Sequence, residues 1–108
     1  MAAEMEHRIL AEDLRAAVSG GVDAHATLGA MNIGAGGDAA VAAPYAELAR
    51  TVGEASYRVT DEQVAAARRQ AGSDRGAFEV VMAAGVGAAL RRWDAAIRAI
   101  EEAADEAR

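Results

Sequence analysis

Alanine dominates this chain and limits what it can build. Of the 57 apolar residues among its 108, 31 are alanine. Leu, Ile, Val and Phe together number only 19, just below the roughly 20% at which a sequence starts to look underfilled. Disorder does not follow, because a net charge of −6 is too small for strong self-repulsion. Abundant alanine favours helix instead. A helical chain so poor in bulky side chains has a thin core, and small domains bury little surface in any case. Help is therefore expected from close helix packing and from a partner subunit. The length suits one domain over residues 1–108. The absence of cysteine excludes a disulfide framework, a zinc ribbon, an iron–sulfur cluster and thiol redox chemistry.

All 11 basic residues are arginine, which reads as coding bias. The acidic balance argues against nucleic acid, whose binding rests on basic charge meeting phosphate. The longest uncharged apolar stretch, Val80–Leu90, is far short of the roughly 20 residues a bilayer requires. The beginning, MAAEMEHRIL, carries acids where a signal peptide has a positive region. The expectation is a cytoplasmic protein, away from membranes.

Along the chain, Met5, Ile9, Leu10, Leu14, Ala17 and Val18 recur at helical spacing and predict a first helix over 4–18, stopped by Gly20-Gly21. Residues 20–43 hold six of the eleven glycines and read as a loop or lid, with room for a short helical segment at Ala24–Ala30. A second helix is expected from Pro44 to Tyr57, with proline in its first turn. Thr60-Asp61-Glu62-Gln63 fits a capping box that opens a third helix, which ends at Gly72. Ser73 caps a fourth, spanning about Asp74 to Glu106. On it, Phe78, Val81, Met82, Gly85, Val86, Ala89, Leu90, Trp93, Ile97 and Ile100 hold one face. Gly85 and Gly87 each cost this helix roughly 0.5–1 kcal/mol against alanine. They leave a smooth surface that a neighbouring backbone could approach, in this chain or in another subunit. Residues 101–108 are expected to be a solvated tail.

Several residues carry candidate chemistry. Gly34-Ala35-Gly36-Gly37-Asp38-Ala39 matches G-x-G-x-x-A, with Glu54 twenty residues after Gly34, but lacks the strand–turn–helix context of a dinucleotide fingerprint. His25, two residues after Asp23, is either a base or a polar loop residue. His7 is expected on a solvated face. No His, Asp and Glu set has metal spacing. Glu79 is the only charge from Gly76 to Leu90; partly buried, it would take a partner or a proton. One of Arg91 and Arg92 is expected to face solvent, while the other could reach Glu79 from a neighbouring helix. Trp93 reads as a core or interface anchor, and Tyr57 as a helix-end packing residue or a hydroxyl donor.

The run from Tyr57 to Ala66, then Ala71-Gly72-Ser73-Asp74, Ala77-Phe78-Glu79-Val80-Val81 and Ala88–Ala96, resembles the C-terminal half of the carboxymuconolactone decarboxylase and alkylhydroperoxidase-D-like family. The likeness covers about residues 44–100. It implies an all-α fold, a small helical bundle with a long C-terminal helix, assembled into dimers, trimers or hexamers. The family's peroxidase members use a Cys-x-x-Cys pair with a histidine and an upstream glutamate. Its decarboxylase members act on a lactone without a metal. This chain has no cysteine, so thiol peroxidase activity does not carry over, and Glu79 is not the family's upstream glutamate. Ala67 replaces the leucine expected on the third helix.

Together these readings predict a non-redox homo-oligomer with an accessory or small-molecule-binding role, without metal or cofactor. Gly85, Ala89 and Trp93 would lie in its interface. The alternatives are a cofactor-free lyase or isomerase using His25, Tyr57 and Glu79, and a structural subunit of a hetero-complex.

Overall fold

Helix starts in this chain are written locally. The computed structural model describes residues 2–19 and 23–107. It forms α1 (Ala2–Ser19), α2 (Ala24–Gly34), α3 (Ala43–Ala55), a 3-10 turn at Ser56–Arg58, α4 (Asp61–Ala71) and α5 (Asp74–Glu106). At α4, Thr60 Oγ1 accepts from the Gln63 N–H at 3.2 Å, and Gln63 Oε1 accepts from the Thr60 N–H at 3.1 Å. That reciprocal pair is the predicted capping box. Gly72, at φ 76°, closes α4 in the left-handed region. Ser73 Oγ then accepts from the Gly76 N–H at 3.0 Å and opens α5. Thr60→Ala is expected to lower stability by about 1 kcal/mol, read as an earlier urea midpoint at unchanged slope.

The chain is all-helical among its described residues, and no helix in them is long and apolar enough to cross a membrane. The stretch expected as a glycine-rich loop or lid holds an eleven-residue helix, α2, longer than the segment expected at Ala24–Ala30. The missed signal is Asp23, whose Oδ1 accepts from the Ala26 N–H at 3.1 Å and caps the helix. Among the described residues of that stretch, Asp23 and residues 35–42 lie outside helix. The predicted stop at Gly20-Gly21 lies outside the described residues. The expected tail stays helical to Glu106, with every residue from 101 to 107 exposed.

The core lies where α2, α3 and α5 meet. Leu48 and Val80 are its largest fully buried side chains; Ala26, Ala30, Ala49, Ala77, Ala83 and Ala84 fill much of the rest. Helices lined with such small residues gain contact by coming close. Built Cβ atoms show how close they are. At Gly87 one would strike the Met31 carbonyl oxygen, at Gly34 the Ala84 carbonyl, and at Gly53 the Gly34 carbonyl. The bulk that ordinarily separates two helices is absent, and backbone packs on backbone.

This turns much of the expected apolar stripe of α5 outward, although Leu90 is buried and Val81 packs against the core. Its buried residues are Ala77, Val80, Ala83, Ala84, Gly87, Ala88 and Leu90. Many of the large residues of its apolar stripe point away: Phe78 is 62% exposed, Met82 50%, Trp93 40% and Ile100 64%. Met5, Ile9, Leu10 and Leu14 of α1 are also exposed, and Ala11 is its buried apolar residue. At 1.5 Å per residue α5 is about 50 Å long, so it overhangs the shorter α2 and α3. The radius of gyration, 15.6 Å, exceeds the roughly 13 Å of a compact chain this long.

Candidate functional site

The outward face of α5 carries exposed apolar side chains over most of its length. Phe78, Met82, Gly85, Ala89, Trp93 and Ile100 follow one another at spacings of three, four and seven, along one line of the helix. None is charged. A Cβ at Gly85 would meet nothing within 4 Å outside its own helix. Two residues further, Gly87 is buried against α2. The two glycines thus serve opposite sides of one helix. Beside this face, Leu10, Ala11 and Leu14 of α1 meet Ala89, Leu90 and Trp93 in an apolar furrow. His7, expected on a solvated face, stands edge-on to Trp93, their ring centres 5.0 Å apart.

The three acid–base candidates lie on separate elements. His25 is exposed on α2, and its Nε2–H donates to the Ala40 carbonyl at 2.9 Å, which pins residues 40–42 to that helix. Tyr57 is 83% exposed in the 3-10 turn, under the Arg58 guanidinium. Glu79 is the partly buried acid the sequence suggests, with a side chain 16% exposed, and accepts from Arg75 Nε at 3.4 Å, one turn away on α5. That partner replaces the arginine from another helix. None of the three lines any of the clefts described here.

Gly34, Gly36, Gly37, Asp38 and Glu54 do line one polar cleft, with Arg50, Arg91 and Arg92. Three of the amides there are already spent. Ala35, Gly36 and Gly37 donate to the carbonyls of Met31, Ile33 and Asn32. The cleft also sits at the C-terminal end of α2, where the helix dipole opposes an anion. A nucleotide fingerprint needs the reverse, free amides at a helix N-terminus. Arg50 pairs with Asp38 at 3.7 Å, and Arg92 donates weakly to the Gly53 carbonyl at 3.5 Å.

A second cleft, of about 470 Å³, lies between α1, α2 and α5. Its apolar side is Leu28, Met31, Ala35, Gly87 and Leu90, and its polar side Arg15, Asn32, Arg91, Asp94 and Arg98. Sequence reasoning missed it, because its arginines are 83 residues apart at the extremes. The legible part was the spacing of Arg91, Asp94 and Arg98, which puts them on one face of a helix. Among the described residues no three His, Asp or Glu side chains gather to hold a metal ion.

The Tyr45 phenol titrates above the ordinary tyrosine value. Burial raises its pKa above 10.0, and the Asp23 carboxylate raises it further. The folded state then holds the phenol proton more tightly than the unfolded state. The resulting stabilisation is full below about pH 10 and is lost as pH rises through the folded value. Stability is expected to fall above about pH 10, and Tyr45→Phe should flatten that alkaline limb in denaturant titrations.

Comparison with protein-family models, with curated proteins and with solved structures finds no match.

Proposed function

We propose that this chain is a non-redox, homo-oligomeric protein of the carboxymuconolactone decarboxylase and alkylhydroperoxidase-D-like kind, with a binding role, and that it assembles through the outward face of α5. The single observation that carries the reading is that face. Phe78, Met82, Ala89, Trp93 and Ile100 are exposed along it, opposite the core, and α1 borders it only at Ala89 and Trp93 among the described residues. Exposed apolar surface of this extent marks an interaction site in a soluble protein.

The occupant is a second copy, and surface area supports this. The chain exposes 6989 Å², whereas a compact monomer of 11.1 kDa exposes about 5,700 Å². The excess, about 1,300 Å², exceeds the roughly 800 Å² each partner contributes to a stable interface. A face that is apolar and centred on a glycine is also suited to pairing with itself, as a two-fold contact requires. In this assembly two α5 helices cross at Gly85, where nothing holds their backbones apart, and Phe78, Met82, Ala89 and Trp93 pack on either side. That none of His25, Tyr57 and Glu79 lines a described cleft supports a binding role over acid–base catalysis.

Native mass spectrometry at high micromolar concentration tests the reading. A mass that is a multiple of 11.1 kDa is expected. A monomer alone under those conditions overturns it, and an obligatory second protein would favour a hetero-complex.

A further inference from the structure

We infer that the cleft between α1, α2 and α5 binds a small organic monoanion with a hydrocarbon body, of the type of a medium-chain carboxylate. The inference deepens the binding role proposed above. It does not use the assembly face, since it draws on the opposite side of α5.

The inward face of α5 changes character where α2 runs out. As far as Gly87 and Ala88 that face is small and packed on α2. α2 ends at Gly34, and α5 continues past it. Its next inward residues are Arg91, Asp94 and Arg98. A face that would otherwise continue as apolar contact carries two arginines and one acid over open space. Arg15 of α1 adds a third guanidinium, 3.8 Å from the Asp94 carboxylate. Three arginines against one carboxylate make the cleft positive, in a chain whose net charge is −6. Arg91 and Arg98 have neither an ion-pair nor a hydrogen-bond partner among the described residues. A guanidinium pairs with a carboxylate through two parallel N–H donors, and such charge-assisted bonds are the strong ones.

The apolar side supplies the other half of the recognition. Leu28 is 43% exposed although it lies within the cleft. Met31 and Leu90 lie beside it, and Gly87 leaves the floor flat. At about 470 Å³ the cleft falls in the range of roughly 300–1,000 Å³ typical of small-molecule sites. A hydrocarbon body over Leu28 and Met31 would remove their surface from water while the carboxylate meets Arg91 and Arg98. A phosphate ester fits less well, because the Ala35, Gly36 and Gly37 amides of the neighbouring turn already bond to α2 carbonyls and α2 presents its carbonyl end there.

Octanoate is the probe. Isothermal titration of the assembled protein is expected to show saturable binding, with shifted methyl resonances of Leu28 and Met31. Octyltrimethylammonium and 1-octanol, of equal chain length, should bind at least tenfold more weakly. Arg91→Gln and Arg98→Gln should each weaken octanoate about tenfold, and Arg91→Lys less. Raising the salt concentration should weaken octanoate and leave octanol unchanged. The inference is overturned if octanoate does not bind, if the three probes bind alike, or if the arginine variants leave octanoate affinity unaltered. Oligomeric mass is measured on the same samples. Binding by a monomer would sink the assembly and leave the site standing; an oligomer indifferent to octanoate would do the reverse.

Discussion

Gly87→Val is expected to cost at least about 3 kcal/mol, near the upper end for inserting bulk into a packed core, whereas Gly85→Ala, two residues away, is expected to stabilise the folded subunit by roughly 0.5–1 kcal/mol. The asymmetry comes from what each position meets. A Cβ at Gly87 runs into the Met31 carbonyl, with the Ala35 amide nitrogen 3.1 Å away. Those are backbone atoms of α2 and cannot rotate aside, so the whole helix must shift. α2 also rests on α3, where Gly34 lies under Gly53, so the shift disturbs a three-helix seam. Gly87→Ala is a milder form of the same change. Its gain in helix propensity of about 1 kcal/mol partly offsets the clash. At Gly85 there is no clash to set against the gain. Thermal unfolding followed by circular dichroism reads both: for a domain of this size 1 kcal/mol moves the midpoint by about 4–8 °C. Gly87→Val should therefore lower Tm by well over 10 °C on the same scale. A tolerated Gly87→Val would refute the close packing of α2 on α5.

Met82→Asp is expected to break the assembly while leaving the subunit folded. Met82 is half exposed in the single chain, so an aspartate there stays hydrated in the monomer. Across a two-fold contact it occurs twice, and each carboxylate would lose water beside its own copy. An unpaired buried charge costs several kcal/mol, and each 1.4 kcal/mol is tenfold in affinity. The dissociation constant should rise at least 100-fold, with the midpoint of monomer unfolding unchanged. Gly85→Leu probes the same contact by bulk rather than charge, by holding the two α5 helices apart. Sedimentation velocity over a dilution series measures both variants. If Met82→Asp and Gly85→Leu keep the parent mass, the face is not the interface. If they lower helicity as well, the residues support the fold of the subunit instead.

The features legible in the sequence were those written in local chemistry. The Thr60–Gln63 capping box, the Gly72 stop and the Ser73 cap each satisfy or release backbone groups within four residues. Their outcome does not depend on the rest of the fold. The length of α5 followed in the same way, from an unbroken run of helix formers between two clear ends. The helical architecture expected from the abundance of alanine is found throughout the described residues. α2 was the partial miss. Its glycines read as loop, because Gly29 and Gly34 cost an isolated helix stability. In the folded chain that cost is offset by contact, since a Cβ at Gly34 would exclude α5. Only the presence of the partner helix reveals the compensation.

The candidate sites divide along the same line. Gly85, Ala89 and Trp93 were singled out from the smoothness of one segment, and Ala89 and Trp93 are exposed. The arginine-rimmed cleft was not found, because Arg15, Arg91 and Arg98 meet only when α1 folds back along α5. Composition determined that this chain would be helical, that its core would be thin and that thiol chemistry was closed to it. It could not determine which face of α5 turns inward. A pattern of large apolar residues argues that the large face is buried. Here the smaller face won, because α2 meets it with Ala26, Ala30 and Gly34 and the backbones approach closely at Gly34 and Gly87. That choice depends on the shape of the neighbours. It therefore belongs to the tertiary structure, and it leaves the bulky residues of α5 facing outward.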